Sequence, residues 1–125
     1  MKLLDTSVAV DHLRGERSAV ELLRRLVEDQ ETIAASELVR FELLTGMRDD
    51  EVEPLEEFFS VLSWVPVEEA ITRAAGSLAR QHRGAYSGID DVDYLIAATA
   101  LVLDADLLTT NVHHFPMLAG LRAPY

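Results

Sequence analysis

The sequence predicts an α/β fold: one parallel β-sheet flanked by helices on both faces, in a single domain spanning residues 1–125. Three observations predict it. Short strands alternate with amphipathic helices along the whole chain. The strands are mostly apolar on both faces, as in a sheet covered from each side. A length of 125 residues suits one hydrophobic core, and no repeat, linker or low-complexity tract divides it.

Lys2-Leu3-Leu4 reads as the first strand, ending at Asp5. Thr6-Ser7 open a helix with Val10 and Leu13 among its apolar positions, and Gly15 closes it. A second helix runs from Arg17 to Asp29, with Val20, Leu23, Leu26 and Val27 inward. Thr32-Ile33-Ala34-Ala35 is the second strand. Ser36 is a good N-cap for a third helix that Gly46 ends. Glu53 to Ser60 forms the fourth helix, with Leu55, Phe58 and Phe59 apolar. Val61-Leu62-Ser63-Trp64-Val65 is a strand stopped by Pro66. Glu68 to His82 carries Ala70, Ile71, Ala74, Ala75, Leu78 and Ala79 on one side. Asp106-Leu107-Leu108-Thr109 is the last strand, and the tail from His113 to Leu121 reads as a turn and a short helical piece.

Between those last elements lies the most unusual stretch, Ser87 to Ala100. Asp90, Asp91 and Asp93 stand at the mouth of an apolar helix, after a loop bracketed by Gly84 and Gly88. Val92, Leu95, Ile96, Thr99 and Leu103 recur at helical spacing and predict a core-facing stripe, with Asp93, Ala97 and Ala100 along its edge. Acids in a first turn complement the helix dipole, so capping is the plain reading of Asp90 and Asp91. Asp93 is held at the rim of the core.

Composition narrows the function classes. The chain has no cysteine, which excludes disulfides and thiolate chemistry and suits a reducing cytosol. Met1-Lys2-Leu3-Leu4 runs straight into Asp5 without a signal peptide, and the apolar run Leu95–Leu103 is too short to cross a bilayer. A cytoplasmic protein without membrane association is expected. Twenty-two acids against eleven bases give a net charge of −11, and Lys2 is the only lysine. Such a surface fits a salt-adapted protein, or a genome that encodes arginine in place of lysine. It opposes generic nucleic-acid binding, because phosphates need cations. It leaves room for a metal-dependent enzyme acting on phosphates.

Glu42 is the most informative acid. It falls on the apolar side of its helix between Leu38 and Val39, whereas Arg40 points the other way. A glutamate there is costly unless paired, neutralised or bound to a cation. Ligands of open parallel sheets sit beyond the carboxyl ends of the strands. Asp5 and Thr109-Thr110-Asn111 lie at those ends, and Glu42 and Asp93 project over the same edge if their helices pack alongside. Crowded carboxylates raise one another's pKa unless a cation sits among them. With no lysine nearby, Mg²⁺ or Mn²⁺ is the natural partner, activating water for phosphodiester hydrolysis.

These residues make the chain resemble a PIN-domain ribonuclease of the VapC toxin type. The resemblance rests on Leu3-Leu4-Asp5-Thr6-Ser7, Ser36 to Gly46 around Glu42, Asp93 to Ala100, and Leu108 to Phe115. It implies the PIN-like α/β/α sandwich, with Asp5, Glu42 and Asp93 as metal-binding, catalytic acids. It implies Ser7 and Thr109 as supporting hydroxyls, with Asp90 beside them. Cleavage of structured RNA (tRNA or rRNA), homodimerisation and inhibition by a small antitoxin follow from the same resemblance. The family commonly places a fourth acid where Asn111 or His114 stands here. Asn111 and Asp91 are therefore further candidate ligands, and one metal ion or two is left open. His113 and His114 read first as turn residues, and secondly as RNA contacts or a proton donor.

Two other readings compete. One is a PIN domain that binds RNA or antitoxin with weak catalysis or none. The other is a receiver-like signalling domain, which also gathers acids around Mg²⁺ but needs a lysine late in the sheet. Arg14, Arg17, Arg24 and Arg25 form a basic cluster that either steers RNA or pairs with nearby acids. Phe58, Phe59 and Trp64 are candidates for an apolar dimer patch.

Overall fold

A computed structural model describes residues 1–85 and 87–125, so Tyr86 lies outside the described residues. Four parallel strands, β1 (Lys2–Leu4), β2 (Ile33–Ser36), β3 (Ser63–Val65) and β4 (Asp106–Leu108), form one sheet in the order β3-β2-β1-β4. Leu3 lies opposite Ala34 on one side and Leu107 on the other, so the centre of the sheet is apolar throughout. The helices are α1 (Thr6–Leu13), α2 (Arg17–Glu28), α3 (Glu37–Gly46), α4 (Val52–Ser60), α5 (Glu69–His82) and α6 (Asp91–Leu103). The steps from β1 to β2 and from β2 to β3 run one way across the sheet, and the step from β3 to β4 runs back. Right-handed crossovers then put α1–α4 on one face and α5–α6 on the other. The predicted sandwich is what the structure shows.

The core follows those layers. Val8, Ala9, Val39, Leu43, Leu55, Phe58 and Phe59 pack on the strands, together with Ile96, Ala97 and Ala100 of α6. Ile71 and Ala75 of α5 meet Tyr94 and Ala98 of α6 in a second cluster. Helix α6 is therefore caged on two sides, and Tyr94 and Ile96 to Ala100 are all buried. The predicted stripe needs correction: Val92, Leu95 and Leu103 are only half-buried. A helix covered by both the sheet and a neighbour has no single inward face. Thr99 tolerates this burial by donating its hydroxyl to the Leu95 carbonyl at 2.7 Å.

Other differences are local. Val61 and Leu62 close α4 through bonds to the Phe58 and Phe59 carbonyls, so β3 starts at Ser63. The tail's helical piece is a 3₁₀ turn over Val112–His114. The expected dimer patch is absent, because Phe58 and Phe59 are buried. Phe58 stacks on His12 at 5.1 Å. Trp64 meets Phe59 edge-on and donates its indole N–H to the Phe59 carbonyl at 3.0 Å. The Arg40 guanidinium lies over the Trp64 ring at 3.9 Å. Among the described residues no helix is long and apolar enough to cross a membrane.

Candidate active site

The carboxyl edge of the sheet is built around Asp5. The residue leaves β1 with its N–H bonded to the Leu108 carbonyl at 3.0 Å, then acts as the N-cap residue of α1 without a side-chain capping bond. That frees the carboxylate to face β4. Its Oδ2 accepts from Thr109 Oγ1 at 2.7 Å and from Ser7 Oγ at 3.2 Å. Ser7 Oγ also accepts from the Thr110 N–H, and Thr109 Oγ1 from the Asn111 N–H. Two hydroxyls thus lace the end of β4 to the start of α1, with Asp5 only 8% exposed between them.

Ser36 ends β2 and caps α3 by accepting the Leu38 N–H at 3.1 Å. That abrupt strand-to-helix turn brings Glu42 back towards α1. Its Oε1 accepts from Thr6 Oγ1 at 2.9 Å. Burial pushes the Glu42 pKa up, the Thr6 bond opposes this, and the negative charges of Asp5 and Asp90 add to the rise. Arg40 is committed to Glu37 on the other side of α3. Glu42 has no cationic partner among the described residues.

Helix α6 ends in a left-handed Asp104 and turns directly into β4, which returns its N-terminus to the same edge. Asp90 caps it by accepting the Asp93 N–H at 3.0 Å. The Asp93 carboxylate is 15% exposed, and its Oδ2 lies 3.4 Å from His114 Nδ1. Burial, then the charge of Asp90, pushes its pKa from the ordinary 3.8 up to about 6, against the opposing pull of His114. The charge of Asp5 also raises it.

The remaining candidates separate. Asp91 does not cap: it is exposed and pairs with Arg83 at 2.6 Å, on the α5 side of α6. Asn111 sits at the end of β4 with its carbonyl accepting the His114 N–H. His113 is exposed and packs edge-on against His114 at 4.4 Å. Lys2 pairs with Asp106 at the opposite edge of the sheet, far from where a receiver-like site needs its cation. Sequence reasoning missed Thr6 as the partner of Glu42 and His114 as the partner of Asp93. The helix-opening triplet Asp5-Thr6-Ser7 carried a signal for the first, since both hydroxyls follow the acid directly.

Each acid therefore has one oxygen held by a hydroxyl or an imidazole, and no arginine or lysine neutralises any of the three among the described residues. Among the same residues, no three aspartate, glutamate or histidine side chains stand close enough to share one ion in their present hydrogen-bonded positions. The donor chemistry, oxygen only and net negative, fits a hard divalent cation.

A sequence profile of the PIN domain family matches residues 2–120. The chain is 62% identical over 125 residues to Ribonuclease VapC19 of Mycobacterium tuberculosis (strain CDC 1551 / Oshkosh), covering 100% of both. It is 38% identical to Ribonuclease VapC10 of the same strain, covering 100% of this chain and 93% of that protein. VapBC2 from Rickettsia felis, solved bound to a DNA fragment from its promoter, superposes with a TM-score of 0.80 at 27% identity, covering 98% of this chain and 96% of that one. A toxin-antitoxin complex from Klebsiella pneumoniae gives 0.81 over 100% and 98% of the two chains; at 21% identity it speaks to fold alone.

Proposed function

The chain belongs to the PIN-domain family, and from that premise we propose that it is a VapC-type ribonuclease toxin that cuts structured RNA with a divalent cation. The observation that carries this reading is the grouping of Asp5, Glu42 and Asp93, from three separate segments, at one sheet edge without a cationic partner. Glu42 and Asp93 both feel the negative charge of Asp5. These three would hold Mg²⁺ or Mn²⁺. When bound, such an ion would polarise a phosphoryl oxygen and lower the pKa of a nearby water, making it a better nucleophile towards the phosphorus. Thr109 and Ser7 keep Asp5 aimed from the β4 side, and Thr6 keeps Glu42 turned towards α1. Asp90 stiffens the first turn of α6 beneath Asp93.

The toxin role brings a small cognate antitoxin as partner, in the cytoplasm, with a basic side chain suited to the uncompensated acids. A homodimer belongs to the same reading, and Phe41, Val61 and Leu101 are among the large apolar side chains left exposed for contacts. A second reading, a weakly catalytic PIN domain that binds RNA or antitoxin, draws on the neutral Asn111 and on His114 in the last motif. The two separate on incubating purified protein with tRNA or rRNA and Mn²⁺. Cleavage that needs the cation and disappears in Asp5→Asn and Asp93→Asn supports the nuclease. Cleavage indifferent to both substitutions comes from a contaminant and overturns it.

A further inference from the structure

A groove of about 520 Å³ runs between α1, α3 and the start of α4, and Glu42 lines it. Val10, Leu43 and Leu55 line it too, and Arg14 and Arg48 stand along it. The two arginines differ from four others of this chain. Arg24, Arg40, Arg73 and Arg83 are each taken by a carboxylate. Arg14 and Arg48 have no ion pair among the described residues, although Glu51 also lines the groove. The Glu51 carboxylate is turned to the Arg48 backbone N–H at 2.7 Å, not to its guanidinium.

We infer that this groove is the track along which the RNA strand reaches the acids, with the Arg14 and Arg48 guanidiniums holding phosphates next to the one that is cut. The inference rests on the ribonuclease reading above. A polyanion approaching a chain of net charge −11 needs a local cationic path, and affinity for phosphates comes from such contacts. Two unpaired guanidiniums sharing a groove with Glu42 provide one. Guanidinium also matches phosphate geometry with two parallel hydrogen bonds. An acidic protein segment is the rival occupant, but one seated on both arginines runs onto the Glu42 carboxylate. An RNA phosphate at that point would meet the cation that Asp5, Glu42 and Asp93 would hold on that reading. The basic cluster expected around Arg14, Arg17, Arg24 and Arg25 is thereby divided: Arg24 is spent on Glu21 and Glu28, and Arg14 joins Arg48, which sequence reasoning passed over.

The test measures binding of labelled tRNA by anisotropy in Ca²⁺, from about 50 to 200 mM KCl, with cleavage of the same RNA followed on gels in Mn²⁺. Thermal melts confirm that each variant is folded. Arg14→Ala/Arg48→Ala should flatten the slope of log affinity against log salt by about 1.4, for two lost contacts to a single strand. At about 0.1 M salt, binding should weaken roughly ten- to thirtyfold. In cleavage, KM should rise while kcat holds. Arg17→Ala/Arg25→Ala, on α2, should leave the slope as it is. An unchanged slope in the groove variant, or an equal loss in the α2 variant, overturns the inference; the former leaves the groove to a protein partner. A flattened slope with no cleavage by the wild-type protein supports the track and sinks the nuclease reading instead.

Discussion

Replacing Asp93 by Asn should make the metal-free protein more stable at neutral pH while removing its proposed activity. Asp93 is buried against α6 and the last turn, and its pKa is pushed from 3.8 up to about 6. Below 3.8 the group is protonated whether the chain is folded or not, and it contributes nothing to the pH dependence. Between those two values the unfolded chain gives up the proton and the folded one keeps it. Each pH unit there costs the folded state up to about 1.4 kcal/mol. Above about 6 the penalty is constant, at most about 3 kcal/mol for the full shift. Asn escapes it, because the shift is already net of the opposing pull of His114, but its buried amide keeps part of the desolvation cost. A net gain of about 2 kcal/mol remains, or roughly 6–10 °C in Tm for a domain of this size. Urea unfolding in EDTA at pH 7 and near pH 4 measures it, with a gain at the first and little at the second. Saturating Mn²⁺ should then stabilise the wild-type protein, by about 2.7 kcal/mol at a hundred times Kd, and not the variant. A variant no more stable than wild type at pH 7, or a gain that persists undiminished near pH 4, refutes the reasoning.

Glu42→Gln should stabilise the metal-free protein in the same direction, because burial raises its pKa too; the Thr6 bond survives in the amide, and the same EDTA titration reads it. Thr109→Val should cost about 2 kcal/mol in urea unfolding and weaken Mn²⁺ binding, since one fully buried hydroxyl serves both Asp5 and the Asn111 N–H. Ala98→Leu should cost about 1–3 kcal/mol by forcing α6 away from Ile71 and Ala75, with no direct effect on Mn²⁺ affinity in the protein that remains folded.

Much of this was legible in the chain itself. The alternation of short apolar strands and helices gave the sandwich, because a strand with two covered faces has few other homes. Glu42 stood out because a carboxylate amid Leu38, Val39 and Phe41 breaks the polarity of its helix, and the structure finds it half-buried with a hydroxyl for a partner. What failed were assignments that depend on a neighbour. The apolar stripe of α6 misled because a helix caged by the sheet and α5 carries small and apolar residues all round, so its periodicity fades. Phe58 and Phe59 read as surface only while the layer they pack under was unknown. Asp91 and Asp93 stand two residues apart and face different neighbours, Arg83 and His114, a division that no spacing rule makes. The pairing of Thr6 with Glu42 joins residues 36 apart in sequence and depends on how α1 lies beside α3.

The central claim is that Asp5, Glu42 and Asp93, from three separate segments, together hold one divalent cation. A crystal structure grown with Mn²⁺ and read by anomalous scattering tests it most directly. The account predicts a manganese peak bonded to carboxylate oxygens of Asp5, Glu42 and Asp93. Saturating Mn²⁺ with no peak among those three side chains, or a peak held elsewhere on the chain, contradicts it.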